Sequence, residues 1–174
     1  RALAGLIAAG IISDTVMFKS PTCTEKDKKM AMRMVQLAGI DLEELGREIF
    51  SAAADISEKD ARTLLDQDFK QFVLGDHKVG VGQVTCMEVS DLRHMEKDLF
   101  GCMRETLEEG KYDLVLMMLT QIVEEGTRLL FVGKDAGEIV SRAFGLPVQQ
   151  DSVFLPGVMS RKKQIMPAIS GVLD

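Results

Sequence analysis

Residues 113–123 read Asp-Leu-Val-Leu-Met-Met-Leu-Thr-Gln-Ile-Val, an apolar run that is almost continuous. Such a run predicts a central strand buried on both faces of a sheet, because a solvated face would place polar residues at alternate positions. Around it, apolar patterns predict further strands at 69–74, 79–89, 128–132 and 153–155, and helices at 91–109 and 135–145. This order predicts an α/β domain with a mixed β-sheet flanked by helices.

The first third of the chain has helical patterns only. Residues 2–13 are apolar nearly all round, which predicts a helix buried on several sides. Thr24, Asp41 and Ser57 each stand three residues before an acidic residue, the spacing of a helix N-cap. In the helix after Thr24, the positions predicted to face inward are Met30, Met34, Leu37 and Ala38.

The change from helical to mixed patterns places a domain boundary near residues 52–56. We therefore expect a helical part at 1–55, including a linker, and an α/β domain at 56–174. Because the chain opens on Arg1 directly into an apolar helix, we expect it to be a piece cut from a longer protein.

Composition excludes several classes of protein. The 174 residues are 46% hydrophobic, enough for a core, and the net charge of −6 argues against a nucleic-acid partner. Three scattered cysteines, Cys23, Cys86 and Cys102, predict reduced thiols and a cytoplasmic protein. The apolar run at 2–13 is too short to cross a bilayer and lacks the pattern of a signal peptide, so we expect no membrane association.

Candidate site residues occur at three places. Residues 160–164, Ser-Arg-Lys-Lys-Gln, concentrate positive charge in an acidic chain, which suits an anion; the alternative is a solvated basic face. Lys70 is either a solubilising residue of an edge strand or a cation directed into a cleft. Asp14, at the end of the first helix, either caps a loop or holds a hard cation.

Other familiar chemistry is missing from the sequence. The two histidines, His77 and His94, lack motif partners, and no phosphate-binding glycine loop or Gly-x-Ser-x-Gly nucleophile is present. Gly80 and Gly82 fall inside a strand pattern, where glycines mark a bulge or close packing.

Three segments in this order and spacing resemble a known family. They are residues 13–24 (Ser-Asp-Thr-Val-Met-Phe-Lys-Ser-Pro-Thr-Cys-Thr), residues 68–72 (Asp-Phe-Lys-Gln-Phe) and residues 160–164. Together they resemble the C-terminal half of the family II inorganic pyrophosphatases, manganese-dependent enzymes of the DHH phosphoesterase superfamily, and the similarity covers essentially the whole chain.

The resemblance implies a fold, a reaction and roles for residues. Residues 1–55 would be the helical end of the N-terminal DHH domain, and 56–174 the DHH-associated domain that binds substrate. Asp14 would be a ligand of a two-metal centre holding Mn²⁺, or Mg²⁺ or Co²⁺. Lys70, Arg161 and Lys162 would bind diphosphate, while Lys163 and Gln164 would have no primary role. The implied reaction is hydrolysis of diphosphate to two phosphates.

The chain departs from the family pattern because the Asp-His-His signature of the N-terminal domain is absent. We therefore expect no complete catalytic set in this chain, which would be inactive alone and would need the missing DHH domain as its partner. A homo-oligomer is also expected. Two alternatives stay open: an exopolyphosphatase of the same superfamily, and a non-catalytic module that binds an anion or nucleotide.

Overall fold

The computed structural model describes residues 1–53, 60–87, 89–148 and 150–173, and the chain divides into two compact units, Arg1–Asp55 and Ile56–Asp174. The boundary predicted near 52–56 lies mostly outside the described residues, as does the N-cap predicted at Ser57. No helix in the described ranges combines the length and the apolar character needed to cross a membrane.

The first unit contains three helices, α1 (Ala2–Asp14), α2 (Glu25–Ala38) and α3 (Leu42–Ala53). Helix α2 begins as predicted: the Thr24 hydroxyl accepts a hydrogen bond from the Asp27 N–H, and the Asp27 carboxylate accepts one from the Thr24 N–H. It ends at Gly39, whose φ of 73° is readily available to glycine.

The predicted inward face of α2 was wrong. In α2 the buried residues are Ala31 and Val35, whereas Leu37 of the predicted inward face is 55% exposed. Helix α1 buries Ala8 and Ile12, and its Leu3 and Leu6 are 70% and 71% exposed in this chain.

The second unit is a five-stranded mixed sheet flanked by helices, as predicted. Its elements in chain order are α4 (Ala61–Gln67), β1 (Lys70–Leu74), β2 (His77–Cys86), a 3₁₀ helix (Val89–Met95), α5 (Glu96–Glu109), β3 (Leu114–Gln121), β4 (Gly126–Gly133), α6 (Ala136–Phe144), β5 (Ser152–Pro156), a π-helical turn (Arg161–Ile165) and α7 (Met166–Leu173). The strands follow chain order across the sheet, with β2 and β3 parallel and the other pairs antiparallel.

Strand β3 lies at the centre, and all eight of its residues are buried, as the apolar run predicts. One face of the sheet forms a core with α6, the π-helical turn and α7; its members include Leu116, Met118, Phe131, Val140, Ile165 and Ile169. On β2, Gly82 approaches Leu65 of α4 and Met117 of β3. Since alternate residues of a strand point to opposite faces, α4 covers the face opposite to the core that contains Met118.

Candidate functional site

Two glycines of β2 bring the end of α4 and the start of β1 against the sheet. A methyl group on Gly82 would lie 2.8 Å from Met117 Sδ and 3.2 Å from the Leu65 carbonyl oxygen, and one on Gly80 would overlap the Phe69 ring. Both positions therefore require the absence of a side chain, which confirms the close-packing interpretation. Asp68, between Leu65 and Lys70 in the chain, is the C-cap that directly follows α4.

Arg161 reaches this junction from the π-helical turn. Its Nη1 donates to the main-chain oxygens of Asp68 at 2.6 Å and Val81 at 3.0 Å, and its Nη2 donates to both carboxylate oxygens of Asp68 at 2.9 and 3.0 Å. The Arg161 side chain is only 7% exposed. A buried guanidinium must be satisfied by hydrogen bonds, and here four bonds connect three elements of the fold.

Lys70 meets Arg161 at the same carboxylate. It is the first residue of the edge strand β1, opposite Val81 of β2, and its side chain is 60% exposed. Its Nζ lies 3.5 Å from Oδ1 of Asp68, the atom that also accepts from Arg161 Nη2. We call Asp68, Lys70 and Arg161 the Arg161 cluster. Two of the three predicted diphosphate-binding cations are thus close together, although they lie in distant parts of the sequence.

The third predicted cation, Lys162, follows Arg161 in the turn and is exposed. It forms no ion pair with any residue in the described ranges. Lys163, to which the family resemblance gives no primary role, is also exposed, and its N–H donates to the Ser160 hydroxyl at 3.3 Å. The Lys162 side chain therefore faces solvent from the same turn that buries Arg161.

Four hydrogen bonds, three of them partly buried, hold the segment before Arg161. The Gln164 side chain accepts from the N–H groups of Met159 and Ser160 at 2.8 and 2.9 Å and donates to the Gly157 oxygen at 2.8 Å. Thr127 of β4 donates to the Val158 oxygen at 2.6 Å. These bonds satisfy main-chain groups of the loop that precedes Arg161. They therefore fix the position of the Arg161 main chain.

Sequence reasoning missed two residues of this arrangement, Asp68 and Gln164, although each stands inside a quoted motif. Asp68 is two residues before Lys70, and Gln164 is three residues after Arg161. The available signal was the carboxylate of Asp68 close to Lys70, because an anionic side chain beside a proposed anion-binding cation can pair with it. The sequence cannot show that this carboxylate accepts from an arginine 93 positions away.

Asp14 is the exposed last residue of α1 and leads into a left-handed turn. Val16, Met17 and Phe18 have φ values of 50°, 52° and 68°, a region that residues other than glycine rarely adopt. Within the turn, the Thr15 hydroxyl donates to the Ile11 oxygen at 2.7 Å and the Ser20 N–H to the Thr15 oxygen at 2.9 Å. Strained backbone of this kind is typical of functional segments.

The predicted metal role of Asp14 requires further ligands. In the described part of the chain, no group of three or more His, Cys, Asp or Glu residues is placed to hold a metal ion. A two-metal centre needs several such ligands, so the described residues do not fit a complete manganese centre.

A second group of cations lines a cavity of about 600 Å³ beside α5 and β4. Its lining residues are Arg93, Glu96, Lys97, Phe100, Arg104 and Arg128, and we call it the Arg128 cavity. Arg128 Nη2 donates to Glu96 at 3.0 Å, and the Arg128 side chain is 31% exposed. The Arg128 Nε is buried and has no hydrogen-bond partner within the described residues. This cavity holds none of the predicted site residues.

Comparisons with known proteins agree with the predicted fold and family. The DHHA2 domain family matches residues 47–172. The manganese-dependent inorganic pyrophosphatase of Methanocaldococcus jannaschii is 42% identical over 168 residues, which are 96% of this chain and 54% of that protein. The cobalt-dependent inorganic pyrophosphatase of Clostridium perfringens is 36% identical over 173 residues, which are 99% of this chain and 31% of that protein.

A solved structure gives the same result. The crystal structure of a Methanococcus jannaschii protein described as a family II inorganic pyrophosphatase has a TM-score of 0.86 and 42% identity, and the match covers 98% of this chain and 55% of that one. The chain thus spans about half the length of the Methanocaldococcus relative that it matches. The chain belongs to the DHHA2 domain family, and its resemblance to the C-terminal part of the family II inorganic pyrophosphatases is confirmed.

Proposed function

We propose that the complete protein containing this chain is an inorganic diphosphatase, and that the second unit of this chain binds its substrate. The observation that carries this proposal is the meeting of Lys70 Nζ and Arg161 Nη2 at one oxygen of Asp68. An anionic oxygen already occupies the position between the two cations, and a phosphate oxygen has the same requirements. The relatives named as inorganic pyrophosphatases support the choice of diphosphate.

Within this proposal, each cation has a part that follows from its surroundings. Lys70 and Lys162 are exposed and mobile enough to contact a phosphate from solvent. Arg161 is fixed by two main-chain oxygens and supplies a cation of constant position. Positive charge at the leaving phosphate offsets the negative charge that develops as the P–O–P bond breaks.

We further propose that Asp14 contributes one ligand to a manganese site whose other ligands lie outside this chain. The names of the relatives support manganese, and in one case cobalt. We also propose a cytoplasmic, homo-oligomeric protein. Support for the cytoplasm comes from Cys23, Cys86 and Cys102, which are thiols rather than disulfides in the described part of the chain.

The experiment compares the complete protein with the 174-residue chain. Phosphate release is measured with diphosphate and, separately, with polyphosphate, in the presence and absence of Mn²⁺. We expect the complete protein to hydrolyse diphosphate faster than polyphosphate, and the chain alone to show no turnover. Turnover by the chain near that of the complete protein would refute the proposal that catalysis needs residues outside this chain. Preference for polyphosphate would favour an exopolyphosphatase.

Substitutions in the complete protein then test the cations. Arg161→Ala is expected to lower turnover roughly 10²-fold or more, the usual cost of removing one charge-stabilising group. Lys162→Ala is the cleaner variant, because this exposed side chain has no ion pair in the described ranges and its loss should leave folding unchanged. Lys163→Ala is the matched control and should cost much less. Equal losses for Lys162→Ala and Lys163→Ala would contradict the assignment.

A further inference from the structure

The Asp68 carboxylate occupies the place between the cations that the proposed function assigns to diphosphate. Oδ1 lies 2.9 Å from Arg161 Nη2 and 3.5 Å from Lys70 Nζ, and Oδ2 lies 3.0 Å from Arg161 Nη2. Neither the sequence motifs nor the proposed function gives this residue a role. Its position therefore requires an explanation of its own.

The hydrogen bonds of Arg161 leave little for a second anion. A guanidinium has five N–H donors. Nη1 donates to the main-chain oxygens of Asp68 and Val81, and Nη2 is held by both oxygens of the Asp68 carboxylate. The same carboxylate lies 3.5 Å from Lys70 Nζ. A phosphate oxygen can therefore take the place between Arg161 Nη2 and Lys70 Nζ only if the Asp68 carboxylate leaves it.

Of the two partners, Asp68 is the one that can move. Arg161 is 7% exposed, and moving it would break its bonds to two main-chain oxygens as well. Buried groups left without partners are costly. The Asp68 side chain is 44% exposed, so rotation about its side-chain bonds can turn the carboxylate into water, where its charge is solvated.

We propose that Asp68 is an internal ligand of the anion site: its carboxylate occupies Arg161 and Lys70 when the site is empty, and an incoming phosphate group displaces it. This inference rests on the proposed role of Lys70 and Arg161 in binding diphosphate. Because every bound phosphate must displace the carboxylate, Asp68 lowers the affinity of the site for substrate and for product. The same carboxylate keeps the buried guanidinium neutralised and oriented between binding events.

The inference predicts the direction of a change in affinity. In Asp68→Asn the side chain keeps its shape and one acceptor oxygen but loses its charge. We expect inorganic phosphate and diphosphate each to bind the 174-residue chain at least tenfold more tightly than they bind the unsubstituted chain, measured by calorimetric titration. A carboxylate that only maintained the structure would give the opposite result, since its neutralisation would loosen Arg161 and weaken binding.

Three controls keep the result interpretable. Asp66→Asn removes a neighbouring carboxylate that pairs at 2.8 Å with Arg62, not with Arg161, and should change affinity less than twofold. Asp68→Glu keeps the charge and should not gain affinity. If Asp68→Asn fails to fold, Asp68→Ser, which also lacks the charge, replaces it with the same expected gain. Folding is followed through Tyr112, the one tyrosine in a chain without tryptophan, whose ring packs against Phe69 beside Asp68.

The possible outcomes separate this inference from the proposed function. Unchanged or weaker binding by Asp68→Asn, or equal gains in Asp68→Asn and Asp68→Glu, would overturn the inference, as would the absence of phosphate binding by both the variant and the original chain. Failure of the proposed function appears elsewhere, as an absence of diphosphate hydrolysis by the complete protein. Tighter phosphate binding by Asp68→Asn would support the internal ligand even in that case.

Discussion

Arg161 and Arg128 both belong to the second unit and both pair with a carboxylate, but their surroundings differ. Arg161 is 7% exposed and forms four hydrogen bonds, two of them to main-chain oxygens. Arg128 is 31% exposed, forms one hydrogen bond to Glu96, and has a buried Nε without a partner within the described residues. The more deeply buried charge is the better satisfied one, as the cost of desolvation requires.

The difference indicates two uses of the same side chain. Arg161 connects the end of α4, strand β2 and the π-helical turn through its hydrogen bonds. Its side chain therefore stabilises the fold in addition to its proposed role in binding a ligand. Arg128 lines an open cavity and contacts only one carboxylate there among the described residues, so the fold depends less on its hydrogen bonds.

The largest expected effect is the difference in stability between variants of these two arginines. Arg161→Met should lower the free energy of unfolding by about 3 kcal/mol, because two main-chain oxygens lose their donors and Asp68 loses its main partner. Arg128→Met should cost less than about 1 kcal/mol, since a partly exposed pair is lost and an unpaired N–H is removed with it. Urea unfolding followed by Tyr112 fluorescence reports on this unit. Equal costs would show that the hydrogen bonds of Arg161 do not distinguish it.

A smaller effect is expected where the sheet accommodates the Arg161 cluster. Gly82→Ala should destabilise the chain by about 2 kcal/mol, because the new methyl group would lie 2.8 Å from Met117 Sδ and 3.2 Å from a main-chain oxygen. Gly101→Ala is the matched control, since nothing lies within 4 Å of its added methyl group and alanine favours the helix α5. Urea unfolding should show loss for the first and no loss for the second. A Gly82→Ala variant as stable as the original would contradict the close packing of α4 on β2.

The smallest expected effect is a loss of stability at low pH, through the N-cap of helix α4. Asp60 is the N-cap of α4, and hydrogen bonds from Thr63, chiefly its main-chain N–H at 2.7 Å, hold the pKa of Asp60 below its usual value. The stability it contributes is complete above its unfolded pKa of about 3.9 and is lost as the pH falls through the lower folded pKa.

Thermal unfolding of the chain and of Asp60→Asn, measured from about pH 6 to about pH 3, tests this sign. Asparagine also caps helices but does not titrate in this range. The two unfolding temperatures should therefore converge as the pH falls. A constant difference across the range would show that the charge of Asp60 contributes nothing.

Most of the fold could be predicted because the apolar pattern within each segment indicates whether it forms a strand or a helix. The apolar run at 113–123 could only be a strand buried on both faces, and β3 is one. The helix predicted at 135–145 exists as α6, although Asp135 before it has a φ of 57° and its side chain caps nothing. The inward face of α2 was wrong because the prediction favoured the larger apolar residues, whereas Ala31 and Val35 are the buried ones.

The candidate site could be predicted only in part. The motifs identified Lys70 and Arg161, which do meet, but positive charge in a sequence gives no information on whether a cation is free or already paired. The helical turn at Arg161–Ile165 was also missed. Most of its residues are polar, so the sequence does not indicate that Arg161 and Ile165 are buried. Contacts between residues 80 or more positions apart have no local signal.

The hydrogen bonds of Arg161 also set an order of events during protein synthesis. Asp68 and Val81 precede Arg161 by 93 and 80 residues, so at the usual rate of translation their oxygens wait roughly 5–20 s for the guanidinium. Strands β1 and β2 can pair in that interval, but this corner of the sheet stays open to water. A chain whose synthesis stops before residue 161 therefore has an Asp68 carboxylate and a Val81 carbonyl that lack their arginine.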